Sequence, residues 1–213
     1  MHDKVGKEID GCLRKNLDVL SKRNPILAER LADLKIQSPW VICHSENGQK
    51  TVRKHLGEED HIYIHSRVNP KREAQQWATL VPDNAEGFIV LGFGLGYHLL
   101  ALQRIRNPKS LVIIEVDLEL FQLAMKLVNL TSILRDSRVH FFIGDKIAEI
   151  RDFLKNLSPG SISYREYLPS TSLHPEYYQR IKDMLEDYIH KNRLMNNPVL
   201  SQGIIKLLDE TKR

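Results

Sequence analysis

The chain has 213 residues and a net charge of +4, with 42% hydrophobic and 27% charged residues. That balance excludes whole-chain disorder, collagen-like repeats and a coiled-coil rod, and it leaves room for one large domain or a domain with a smaller lobe. Two cysteines, Cys12 and Cys43, lack metal-site spacing and cannot build a disulfide scaffold, so a reducing, cytoplasmic setting is expected, with no secretory or membrane-spanning segment.

Residues 4–34 read as helical, with Ile9, Leu13, Leu17 and Leu20 on one stripe at steps of three and four. Asn24-Pro25 breaks the run, because a residue before proline avoids the α region. Leu27, Leu31 and Leu34 then mark a second helix. Trp40 to Cys43, the Asn47-Gly48 pair, and Thr51-Val52 predict a hairpin. His61 to His65 alternates apolar and polar residues as a further strand. Residues 1–65 are therefore expected to form a helix-plus-hairpin lobe.

A helix is expected from Pro70 to Leu80, with proline in its first turn. Three continuous apolar runs follow: Phe88–Leu91, Leu111–Ile114 and Val139–Ile143. Ser161–Tyr164 is a weaker fourth. Helical stretches near 97–106, 118–128 and 146–157 separate them, and a last helix runs from about Pro175 to Arg193. Apolar runs alternating with helices indicate buried parallel strands in βαβ units. The fold class is thus α/β, with a Rossmann-like domain over 66–195 and a tail or linker over 196–213, where Ile204-Ile205 and Leu207-Leu208 form one apolar cluster.

The informative stretch is Val90-Leu91-Gly92-Phe93-Gly94-Leu95-Gly96-Tyr97-His98. It follows a strand and opens a helix, the context a nucleotide-binding loop requires. Glycines permit the tight turn and close approach of a ligand, and the helix N-terminus offers free N–H groups. The next strand ends at Glu115, where a carboxylate can accept both ribose hydroxyls. The third ends at Asp145, within reach of an adenine amino group, and Asp117 stands close to the second. Gly92, Gly94, Gly96, Tyr97, Glu115, Asp117 and Asp145 are therefore the candidate cofactor-binding residues. The competing reading is structural: the glycines close the β-to-α turn, and Asp117 and Asp145 cap the helices that follow.

The spacing separates the cofactors. A dinucleotide fingerprint wants a small residue at the sixth position, which here is Tyr97, and no GxxxxGK[ST] occurs. The GxGxG pattern resembles class I S-adenosylmethionine-dependent methyltransferases, and Glu115 and Asp145 match that family's ribose and adenine acids. Val90 departs from it, standing where that family has an acid. The four strands correspond to the first half of such a sheet, so an S-adenosylmethionine-binding, methyltransferase-like protein is the alternative reading.

A second resemblance covers more of the chain. Tyr63-Ile64-His65-Ser66-Arg67-Val68-Asn69-Pro70-Lys71-Arg72-Glu73-Ala74, the Gly92–Leu99 loop and Ile114-Glu115-Val116-Asp117 occur in the order seen in the N-terminal domain of the motility accessory factor (Maf) family. The resemblance spans about residues 40–195. It implies a bacterial protein of flagellin glycosylation with sialic-like sugars, in which transfer belongs to a second, larger domain. The chain is accordingly expected to be a non-catalytic Rossmann-like front part, whose partners would be flagellin or a nucleotide-type ligand.

His65, Ser66 and Arg67 lie just before a helix, where Arg beside Ser could hold a phosphate or carboxylate. Alternatively, Ser66 or Asn69 caps that helix and Glu73 completes a capping box. His98 could touch a ligand or be an ordinary hydrogen-bonded histidine. His61 and His65 do not make a metal pair, since four strand residues span about 13 Å. Ser158–Ser161 reads as a loop. Aromatic and basic residues are nowhere concentrated together, so no nucleic-acid partner is expected.

Overall fold

The computed structural model describes residues 2–57, 60–82, 87–106, 108–157 and 162–195. The tail cluster around Ile204 and the Ser158–Ser161 loop lie outside these residues. Helices α1 (His2–Leu20) and α2 (Pro25–Asp33) meet at the expected break. There the Asn24 side chain accepts from the Leu27 amide at 3.0 Å, and Pro25 fits the first turn because its missing N–H would have no partner there. Strands β1 (Trp40–His44), β2 (Lys50–His55) and β3 (His61–Tyr63) form an antiparallel sheet in that order. The β1–β2 turn is longer than a two-residue hairpin. It runs over Ser45–Gln49, closed by Ser45 N–H on the Gln49 carbonyl, with Gly48 at φ 78°.

Helix α3 (Pro70–Thr79) leads into the second sheet. Its order is β6-β5-β4-β7, all parallel, formed by β4 (Gly87–Leu91), β5 (Ser110–Glu115), β6 (Val139–Ile143) and β7 (Ile162–Glu166). The weak fourth strand is thus real, and it pairs with β4. The crossovers carry α4 (Tyr97–Ile105), α5 (Leu118–Leu127), α6 (Thr131–Arg135) and α7 (Ile147–Asn156). After β7 come α8 (Leu168–Thr171) and α9 (Pro175–Met195). The order reverses at β4, so the crevice beyond the strand ends lies where β4 meets its neighbours. The α/β class and its half-methyltransferase topology are as expected.

The two central strands, β4 and β5, are apolar on both faces because both faces are covered. Phe88, Val90, Leu111 and Ile113 point into one cluster, with Leu99 of α4 and Phe121 of α5. Ile89, Leu91, Val112 and Ile114 point into the other, with Ile150 of α7 and Ile181 and Leu185 of α9. The first cluster also takes in Leu20, Leu27, Leu31, Val52 and Ile64, so the front 65 residues and the parallel sheet share one core. No helix among the described residues is long and apolar enough to cross a membrane.

Asn16 fastens α1 to the sheet domain. Fully buried, it donates to the Met125 and Val128 carbonyls at 2.8 and 2.7 Å and accepts from the Leu130 amide at 2.9 Å. It thereby satisfies the last carbonyls of α5, which no helical amide reaches. Asn16→Leu leaves these groups buried without partners, each costing about 1–3 kcal/mol. A loss of at least ~3 kcal/mol is expected in urea unfolding.

Candidate functional site

The glycine loop turns as the sequence requires, with Gly92, Gly94 and Gly96 at φ 90°, 51° and 81°. What occupies the space over it is the chain itself. A Cβ at Gly92 would lie 2.8 Å from Ser170 Cβ and 3.1 Å from the Tyr167 carbonyl. One at Gly94 would meet His65 Nε2 and Tyr167 Cε1, each at 3.1 Å. One at Gly96 would lie 2.7 Å from Leu130 Cδ2. The missing side chains thus admit neighbours from β7–α8, from the segment after β3, and from the α5–α6 connection. The Tyr167 amide extends the β4 ladder by donating to the Leu91 carbonyl at 2.7 Å, which draws the β7–α8 turn across the strand ends.

Glu115 ends β5 as predicted, but its carboxylate faces inward and is 0% exposed. Oε2 accepts from the Phe93 amide at 2.7 Å and the Ser170 hydroxyl at 2.6 Å. Oε1 accepts from the Asp117 amide at 2.9 Å and the Tyr178 hydroxyl at 3.0 Å. Four donors on one carboxylate match its acceptor-only character. Burial pushes its pKa up, and the Ser170 hydroxyl and the two amides work against that. Burial, with the Glu115 charge beside it, also holds the Tyr178 phenol well above its usual range.

Asp117 caps α5 through the Leu120 amide at 2.9 Å and meets Lys54 at 3.3 Å and His174 at 3.2 Å. Burial alone would raise its pKa. The His174 bond, the Leu120 amide and the Lys54 charge outweigh burial and bring it down to about 2. Asp145 is exposed in the turn before α7, and that helix starts without a side-chain cap. The three acids are therefore dispersed: one buried, one in a salt bridge, one on the surface. The Tyr97 hydroxyl donates to the Lys50 carbonyl at 2.9 Å, and burial raises its pKa to about 12.

His65, Ser66 and Arg67 point apart. Ser66 Oγ accepts from the Val68 and Asn69 amides in a local turn, and the Arg67 guanidinium lies 5.3 Å from the Tyr63 ring centroid. Asn69 caps α3 through the Arg72 amide at 2.9 Å. Glu73 departs from the expected capping box, because it accepts from the Ser66 amide and faces His65 Nδ1 at 3.3 Å. His65 itself is buried. The Leu95 amide donates to its Nε2 at 3.0 Å, which requires a neutral ring with its proton on Nδ1. That proton faces Glu73 and the Tyr167 hydroxyl, which in turn donates to the Ile64 carbonyl at 2.7 Å.

His98 is buried and stacked on Tyr167, at 4.1 Å and 10° between planes, with Trp77 edge-on. Its Nε2 faces the Gly92 carbonyl at 3.2 Å, so that nitrogen carries the proton. Tyr167, Ser170, Tyr178 and Trp77 are the residues that sequence reasoning missed. The one available signal was the Tyr-Leu-Pro-Ser run directly after the weak fourth strand. Among the described residues, no group of three or more His, Cys, Asp and Glu could hold a metal ion.

The two buried histidines have a consequence for pH. Burial lowers the pKa of both, assisted at His98 by repulsion from His65 once that ring is protonated and opposed at His65 by the Glu73 hydrogen bond and charge. The unfolded chain takes up protons near pH 6.5, while the folded chain does so only at lower pH. Their contribution is thus complete above about pH 7 and is lost as pH falls below 6.5, by up to ~1.4 kcal/mol per unit for each ring. Glu115, with its raised pKa, works in the opposite sense. Urea midpoints at pH 7.5 and 5.5 should therefore be compared with those of His98→Phe. That variant keeps the stacked ring and should flatten the dependence by one histidine's share.

Comparison with known proteins bears on this arrangement. Residues 49–195 match the family described as "Glycosyltransferase Maf N-terminal domain". The structure of the Maf glycosyltransferase from Magnetospirillum magneticum AMB-1 superposes with a TM-score of 0.63 at 17% identity, over 84% of this chain and 35% of that one. An uncharacterized protein of Treponema pallidum is 25% identical over 123 residues, covering 54% of this chain and 41% of its own length. Spermidine synthase from Thermotoga maritima aligns with a TM-score of 0.38, too low to carry an argument. The chain thus spans well under half the length of these first two relatives. With the family match covering most of its length, and the Maf structure sharing its fold, the chain belongs to the Maf glycosyltransferase N-terminal domain family.

Proposed function

We propose that this chain serves as the front, non-catalytic domain of a Maf-type glycosyltransferase acting in flagellin glycosylation. The family match supports that setting. The observation that carries the non-catalytic part is Glu115. Its oxygens are engaged by Phe93, Asp117, Ser170 and Tyr178 of the chain itself. A ribose could take that carboxylate only by displacing two buried hydroxyls and reopening the β7–α8 turn. On this reading the glycine loop is a packing device. Its missing Cβ atoms let Tyr167, Ser170 and His65 close over the strand ends, and the domain offers a rigid body to flagellin or to a transferase domain. The methyltransferase alternative needs an open crevice and an available ribose acid, so it is not favoured.

Deleting the gene in a flagellated host tests the setting. Intact-mass spectrometry of flagellin should show loss of its glycan mass, restored by the wild-type gene. Unchanged flagellin mass in the deletion strain would overturn the assignment to flagellin.

A further inference from the structure

Outside the glycine loop, a cleft of about 460 Å³ opens where the β1–β2 turn, α3, α4 and the α5–α6 connection meet. That volume lies in the range of small-molecule sites. Its charge is one-sided. Lys50, Lys71 and Arg104 line it, and no lining residue is acidic, although the chain as a whole carries 27 acids against 31 Lys and Arg. Gln49, Gln75 and Asn129 supply further polar groups at the rim. The remaining wall is apolar, with Leu100 and Ala101 from α4, Leu127 and Val128 from the end of α5, and the Tyr97 ring. Two of these parts are held in place. Tyr97 is fixed by its bond to the Lys50 carbonyl, and the Gln49 side chain accepts from the Lys71 amide at 3.0 Å, tying turn to helix.

We propose that this cleft binds a small organic phosphate of mononucleotide size. The phosphate would sit against Lys71 and Arg104, since ammonium and guanidinium groups pair with phosphate oxygens through charge-assisted hydrogen bonds. The carbon skeleton or base would lie on the Leu100–Ala101 wall. The site is distinct from the glycine loop, with which it shares Tyr97 alone, and it does not depend on the reading of that loop. A free inorganic phosphate would satisfy the cations and leave the apolar wall unused, so the two sources are separable.

The test is thermal unfolding of the full chain at low salt with uridine monophosphate, inorganic phosphate or uridine. Wild type is compared with the double variant Lys71→Glu/Arg104→Glu, whose two sites are exposed. Uridine monophosphate at ten times its Kd should raise Tm by about 3–5 °C, more than phosphate or uridine. The variant should keep its unliganded Tm and lose the shift, and 0.3 M salt should weaken the wild-type shift. No shift with uridine monophosphate, an equal shift with inorganic phosphate, or a shift that survives in the variant overturns the proposal.

Discussion

Glu115→Ala should bring the protein close to unfolding. The substitution strands the Phe93 and Asp117 amides and removes the partner of the Ser170 and Tyr178 hydroxyls, all around a fully buried position. Two buried amides alone cost about 2–6 kcal/mol, against a total stability of ~5–15 kcal/mol for an ordinary domain. A fall in Tm of roughly 10 °C or more is expected. Glu115→Gln keeps the volume and one acceptor oxygen, but it turns an NH2 group toward donors, so it should lie between wild type and alanine. An acid waiting for a ribose would be solvated in the free protein, and its loss would then change Tm little. A shift under 2 °C for Glu115→Ala would therefore contradict the internal role assigned to it.

Gly92→Ala should be the second severe change. At φ 90° an L side chain is strained, which by itself costs about 1–2 kcal/mol. The new Cβ would also press on Ser170 Cβ and the Tyr167 carbonyl, both close to the backbone and unable to swing away. A total of roughly 3–5 kcal/mol is expected, because the β7–α8 turn must lift and loosen the Ser170–Glu115 bond. Gly48→Ala is the internal control. Gly48 has a similar φ of 78° but no neighbour within 4 Å, so it reports the strain alone. Equal losses at the two glycines would show that the closed crevice contributes nothing. Adding Ser170→Gly to Gly92→Ala should recover part of the loss, a coupling expected only of groups in contact.

Much of the architecture was legible because it is local. Strands β4 and β5 were visible as apolar runs, since both faces of each are buried, and β6 because Val139 and Ile143 are buried while Phe141 and Phe142 pack against the two clusters. The break at Asn24-Pro25 and the start of α3 at Pro70 rest on proline chemistry that sequence displays directly. Helices α6 and α8, of five and four residues, are too short for any periodicity to show. The β7 strand was weak because it is only half buried along its length and carries Ser163, Arg165 and Glu166 among its five residues.

The candidate site divides along the same line. The positions of Gly92, Gly94, Gly96 and Glu115 at strand ends could be read, because strand length and glycine placement are local properties. The direction of the Glu115 carboxylate could not. It is set by Ser170 and Tyr178, which lie 55 and 63 residues further along the chain. A strand-end acid that binds a ribose and one that ties down a closing turn look alike until those hydroxyls are placed. Helix α9 had the same gap: its extent was legible, but not that Tyr178, three residues before the buried Ile181, brings the hydroxyl that Glu115 accepts.

Isothermal titration of the purified chain with S-adenosylmethionine and S-adenosylhomocysteine at millimolar concentration tests the closed glycine loop most directly. No saturable heat is the expected result, with backbone amide signals of Phe93 and Leu95 unmoved in parallel NMR spectra. One-to-one binding that shifts those two amides would contradict it, because such a ligand could reach them only after Tyr167 and Ser170 had left the strand ends.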